Sequence, residues 1–146
     1  MKASPLALAK LTDYSTIVVV NGLHRFDLTT RQIRGPRVAV EWVARAWVTQ
    51  PGTLDWAPNT GVDLTLSENT TVTQLDLNGW RQKLTQAAER VDYVLACRTA
   101  LTFDAAARAL TARGNLTLVD GRAYPLEVSI GLVSQAILAL NVGVAA

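Results

Sequence analysis

The sequence predicts an α+β fold, with two main helices packed on a mixed or antiparallel sheet of three to five strands. Three observations predict it. Apolar residues recur every three or four positions in two separate segments, they alternate strictly from Leu110 to Leu118, and the alternation resumes after an Asp120-Gly121 turn. With 146 residues, 49% of them apolar and 18% charged, the chain has the make-up of one globular domain spanning 1–146. A domain of this length buries roughly 70% of the surface its unfolded chain exposes, so it needs neither disulfides nor a structural metal.

The elements follow in order. Thr16 to Val20 is β-branched and reads as a buried strand, closed by Asn21-Gly22, which tolerates the positive φ of a turn. Phe26 to Ile33 reads as a second, weaker strand. After Gly35-Pro36, the segment Val38 to Thr49 sets Ala39, Val43, Ala46 and Trp47 on one helical face with Trp42 beside them. Pro36 suits the helix start and Pro51-Gly52 its stop. From Pro51 to Asn69 the composition favours turns, yet Leu54, Trp56, Val62, Leu64 and Leu66 predict a loop held down on the core.

A second helix, capped by Asp76 or Asn78, places Trp80, Leu84, Ala87, Ala88, Val91 and Leu95 at helical spacing. Near Tyr93 the period changes to two, with Leu95, Cys97, Leu101 and Phe103 on one face and Arg98 and Thr102 on the other. Leu110, Ala112, Gly114, Leu116 and Leu118 then alternate against Thr111, Arg113, Asn115 and Thr117, which demands a strand with one wet face. Asp120-Gly121 turns the chain, and Tyr124, Leu126, Val128 and Ile130 form the antiparallel partner. The same parity continues through Leu132, Ala136, Leu138, Leu140 and Val142, but Val133 and Ile137 make the other face apolar too. This last segment therefore has no evident partner within the chain.

Few residues invite chemistry. The net charge is +2 and the fourteen Lys and Arg are scattered, which argues against nucleic acid. The apolar stretch Gly131 to Ala146 is interrupted by Ser134, Gln135 and Asn141 and is shorter than the ~20 residues of a membrane helix, so no membrane partner is expected. Met1 to Lys10 lacks the apolar run of a signal peptide, and synthesis in the cytoplasm is expected. One histidine, His24, and one cysteine, Cys97, make a zinc site or a Ser-His-Asp triad improbable; the first reads as an exposed turn residue and the second as core. No cofactor and no small-molecule substrate are expected. Asp55, Asp63 and Glu89 are the candidates for a glycosidase-type carboxylate pair, against which stands ordinary loop capping by Asp55 and Asp63. The four tryptophans, Trp42, Trp47, Trp56 and Trp80, read as core, with sugar stacking or a partner contact as the other possibilities.

One arrangement is more particular: a helix running into Thr49, Gly52, Trp56, Pro58, Gly61, Asp63 and Leu64, a second helix ending in Glu89-Arg90-Val91, then strands to the C-terminus. This resembles the baseplate wedge family that initiates contractile tail sheaths in phages and related injection systems, including a type VI secretion baseplate component. The family is described in places as lysozyme-like. The resemblance covers residues 35–130. That family carries Glu-Pro-Arg after its second helical segment; here Glu89 and Arg90 are adjacent with no proline between them. The resemblance implies a non-enzymatic virion component of the tail baseplate, assembled in the host cytoplasm. Its partners would be other baseplate wedge proteins and the tail sheath protein. Glu89 and Arg90 would dock to the wedge core. Residues 131–146 would supply a strand-exchange tail for the sheath through Leu132, Ala136, Leu138, Leu140 and Val142. A glycan-cleaving enzyme, or another tail connector or terminator subunit, is the alternative.

Overall fold

The computed structural model describes residues 2–15, 17–20, 23–26, 31–49, 61–62, 72–131 and 137–142, the backbone alone for 17–20, 23–26 and 137–142. The fold is α+β: α3 packs on β5, and α2 on β7 and β8, of a four-stranded antiparallel sheet, with α1 against α2. A short helix α1 (Pro5–Lys10) starts on Ser4, whose hydroxyl accepts from the Ala7 N–H. Strand β1 (Thr12–Tyr14) pairs with β4 (Gln32–Arg34), and β2 (Ile17–Val20) forms a hairpin with β3 (Leu23–Phe26). Helices α2 (Pro36–Val48) and α3 (Gln74–Glu89) follow. The chain then enters the main sheet: β5 (Val94–Asp104), β6 (Ala109–Leu118), β7 (Ala123–Gly131) and β8 (Ile137–Val142), ordered β5-β6-β7-β8.

Helix α2 begins where Pro36 fits the first turn, and it buries Val38, Ala39, Val43, Ala44 and Trp47 at helical spacing. The cap of α3 lies earlier than the sequence suggests. Thr73 is the N-cap, its hydroxyl accepting from the Asp76 N–H while the Asp76 carboxylate accepts from the Thr73 N–H. Asp76 thus closes a reciprocal capping box from the third helical position. Trp80, Leu84, Ala87 and Ala88 are buried as expected.

The β6–β7 hairpin follows the predicted alternation throughout: Leu110, Ala112, Gly114, Leu116 and Leu118 are buried, as are Tyr124, Leu126, Val128 and Ile130 opposite them. Gly121 takes φ 81° in the connecting turn, a left-handed conformation that Asp120-Gly121 favours. Gly114 has a separate role. A Cβ there would lie 2.5 Å from Cη2 of Trp47, so the missing side chain lets the indole of α2 rest on the sheet. Trp47 Nε1 then donates to the Leu84 carbonyl of α3 at 3.0 Å, joining both helices and the sheet at one point.

Besides the α3 cap, four expectations need correction. The segment Phe26 to Ile33 is not one strand: Phe26 ends β3, Gln32 begins β4, and residues 27–30 lie outside the description. His24 lies in β3 rather than in the turn. Leu95 does not face the core and is 50% exposed, because a register shift between Val94 and Ala96 inserts it as an extra residue. The parity of β5 resets there, and Cys97, Leu101 and Phe103 then share the helix side with Thr99. Finally, the C-terminal segment does have a partner within the chain. β8 pairs antiparallel with β7, with Val142 opposite Leu126 and Leu140 opposite Val128, and β3 runs close to it. The second apolar face of that segment meets a shift between Ser129 and Ile130 that takes up Leu138.

Candidate functional site

Helix α3 ends with its last side chain in solvent. Glu89 and Arg90 are exposed, and with Gln86 they line a shallow open depression. Among the described residues neither Glu89 nor Arg90 forms an ion pair. The backbone beneath them is firmly held. The Arg90 N–H donates to the Gln86 carbonyl at 3.1 Å, and the Ala3 N–H donates to the Asp92 carbonyl at 2.9 Å. Lys2 Nζ donates to the carbonyls of Glu89 and Val91, setting a cation where the helix dipole is negative and carbonyls lack helical partners. This arrangement offers a guanidinium and a carboxylate on a rigid base, the pattern that suits charge-assisted bonds to another protein.

The predicted family loop can be placed at its two ends. Thr49 caps α2, its Oγ1 donating to the Arg45 carbonyl at 2.6 Å. The Val62 N–H donates to the Thr49 carbonyl at 2.9 Å, and Val62 is buried in the core beside half-buried Gly61. Val62 is thus tied to the end of α2, while Leu54, Trp56, Leu64 and Leu66, the other residues expected to hold the loop on the core, lie outside the described residues. Gly52, Trp56, Pro58 and Asp63 lie outside the described residues, as does Asp55. Of the three carboxylates considered for glycan chemistry, the described one, Glu89, is exposed rather than set in an apolar cleft. Of the strand-exchange residues, Leu138, Leu140 and Val142 belong to β8, and Leu132 and Ala136 lie outside the described residues.

Sequence reasoning missed a polar cluster on the outer side of α2. Asp13 of β1 accepts from Trp42 Nε1 at 2.8 Å and pairs with Arg45 at 3.5 Å. The indole bond, the Tyr14 N–H and Arg45 together hold the Asp13 carboxyl below its usual range, against the opposing effect of burial. Glu41 is buried, accepts from Ser15 Oγ at 2.9 Å and faces Arg37 Nε at 3.9 Å. Burial lowers the Arg37 guanidinium from its usual value while Glu41 opposes that shift. These contacts fasten β1 to α2, and a hydrogen-bonded, ionised Asp13 makes a poor general base. The one sequence signal was a carboxylate-flanked Tyr14 followed by a helix carrying Glu41, Trp42 and Arg45.

Cys97 is buried, and desolvation raises its thiol, so it behaves as core rather than as a nucleophile. Among the described residues no group of three or more His, Cys, Asp or Glu is arranged to hold a metal ion. None of their helices is long and apolar enough to cross a membrane. Comparison with family models, with curated proteins and with solved structures gave no match to this chain.

Proposed function

We propose that this protein is a structural subunit of a phage-type contractile-tail baseplate, working in the virion by docking to other wedge proteins and initiating the sheath. The observation that carries the reading is the placement of Glu89 and Arg90. They stand exposed at the C-terminal end of α3, the helix that follows the segment in which Val62 returns to Thr49, and shortly before an antiparallel sheet. This is the order of parts that the resemblance implies, with Glu89 and Arg90 serving as the contact to the wedge core. The sheath protein meets the sheet, where β8 is the last strand and lies at an edge of the ladder. An edge strand with an unpaired side can take up a strand from a partner. The role is structural and needs no cofactor and no catalytic group.

Particles assembled with an Arg90→Glu variant test the docking contact. Baseplates should lack this subunit, while the purified variant keeps wild-type thermal stability because Arg90 is exposed. Tails of normal composition with that variant would overturn the docking assignment. Electron microscopy that placed the chain at the head end of the tail would replace the baseplate reading with a connector or terminator.

A further inference from the structure

The geometry points to the outer edge of β5 as a contact between two copies of this chain, joined antiparallel into one continuous sheet. β5 is terminal in its sheet and eleven residues long, and among the described residues no backbone pairs with its outer side. The bulge at Leu95 blunts only its first residues. From Ala96 to Asp104 it carries no proline, no lysine and no inward-facing charge, the usual devices that keep an edge strand solitary.

What fits the edge is argued from its own sequence. In an antiparallel pair centred on Leu101, Leu101 meets its copy, Ala100 meets Thr102, and Thr99 meets Phe103. Arg98 then falls opposite Asp104, twice by symmetry, on the exposed face away from the helices. Other nearby centres lose this match: centring on Ala100 sets Arg98 against Thr102, and centring on Arg98 sets like charges together. Asp104 is available for the role. Its Oδ1 accepts from the N–H groups of Ala106 and Ala107, which leaves Oδ2 unneeded by the turn. On the helix side, Leu101 and Phe103 are only half-buried within one chain, and a second β5 covers them. The inference is independent of the baseplate reading. A ladder this short is small beside an ordinary stable interface, so the dimer is weak and concentration-dependent.

Sedimentation equilibrium of the full chain tests it. Wild type should show a monomer–dimer equilibrium. Arg98→Asp should weaken dimerisation by about tenfold or more, because two attractive pairs become two repulsive ones. Asp104→Asn, which keeps a turn-capping oxygen, should weaken it less. Arg98→Asp combined with Asp104→Lys should restore it. These positions are exposed, and unchanged circular dichroism would verify folding. A wild type monomeric at all attainable concentrations would overturn the inference, as would a dimer indifferent to Arg98→Asp. So would an edge that pairs only with a strand from a different protein.

Discussion

In the middle of the main sheet, β6 buries every residue of its inner row, Leu110, Ala112, Gly114, Leu116 and Leu118. At the margin, β5 beyond its bulge keeps the same alternation but leaves Leu101 and Phe103 half-buried. The side chains are of like size and hydrophobicity. What differs is the number of neighbours: β6 has a strand on each side and Trp47 of α2 resting on it, whereas β5 has one strand and α3. Identical patterning therefore yields core in one strand and contact surface in the other. The hydrophobic contribution follows the area removed from water, not the residue type.

The comparison breaks most directly with one pair of truncations. Leu116→Ala should lower unfolding free energy by about 2–5 kcal/mol, as cavity formation in a packed core does. Leu101→Ala should cost about 1 kcal/mol, because that side chain leaves water only in part. Urea denaturation of both measures the difference, and equal losses would erase the distinction between centre and margin.

Gly114→Ala sharpens the same point from the opposite direction. The added methyl would stand 2.5 Å from Trp47 Cη2, and Trp47 is fully buried, so the ring has nowhere to retreat. A loss of about 1–3 kcal/mol is expected. Trp47→Phe in the same chain should make the combined loss smaller than the sum of the two single losses, measured as a double-mutant cycle.

These cases show what the sequence made legible. The β6–β7 hairpin was readable because a strict two-residue period with one polar face admits a single solution, and Asp120-Gly121 fixed its turn. The helices were readable from spacing, but the Thr73 cap was not. Asp76 is a good capping residue by type, and only geometry reveals it acting from the third helical position. Leu95 was misplaced because a bulge breaks parity without changing composition. The partner of β8 was hidden because strand pairing at a distance leaves no local signal in a segment apolar on both faces. Of the candidate site, Glu89 and Arg90 were singled out by the family resemblance rather than by periodicity, which ran on past them to Val91 and Leu95. Lys2 was not, since a side chain reaching across 87 positions has no sequence signature. Arg98 and Asp104 carry meaning only once β5 is known to be an edge.

The N-terminus of α3 lies outside the sheet altogether, and its contribution should be correspondingly modest. Thr73→Ala removes both the hydroxyl that caps the Asp76 N–H and its bond to the Asp76 carboxylate. The expected loss is about 1 kcal/mol by thermal or chemical unfolding. Thr73→Ser should recover most of it, and a serine variant as unstable as the alanine one would argue against capping as the cause.

Tyr124 carries the smallest effect at neutral pH and the clearest dependence on it. The residue sits at the start of β7, its ring in the core and its hydroxyl donating to Asp120 Oδ2 at 2.7 Å. Burial, followed by that bond and the Asp120 charge, pushes its phenol up to about 12 from the ordinary 10.0. The folded state therefore holds the proton more tightly than the unfolded chain does. The resulting stabilisation is fully present below pH 10 and fades as the pH rises through about 12. Tyr124→Phe should cost under about 1 kcal/mol at pH 7, the worth of one partly solvated hydrogen bond. The variant should also flatten the alkaline loss of stability. The phenolate absorbance of Tyr124, taken as wild type minus variant, should rise near pH 12. A rise near pH 10 in the folded protein would mean that the turn leaves the hydroxyl in water, and that the hairpin is less closed at its tip than along its length.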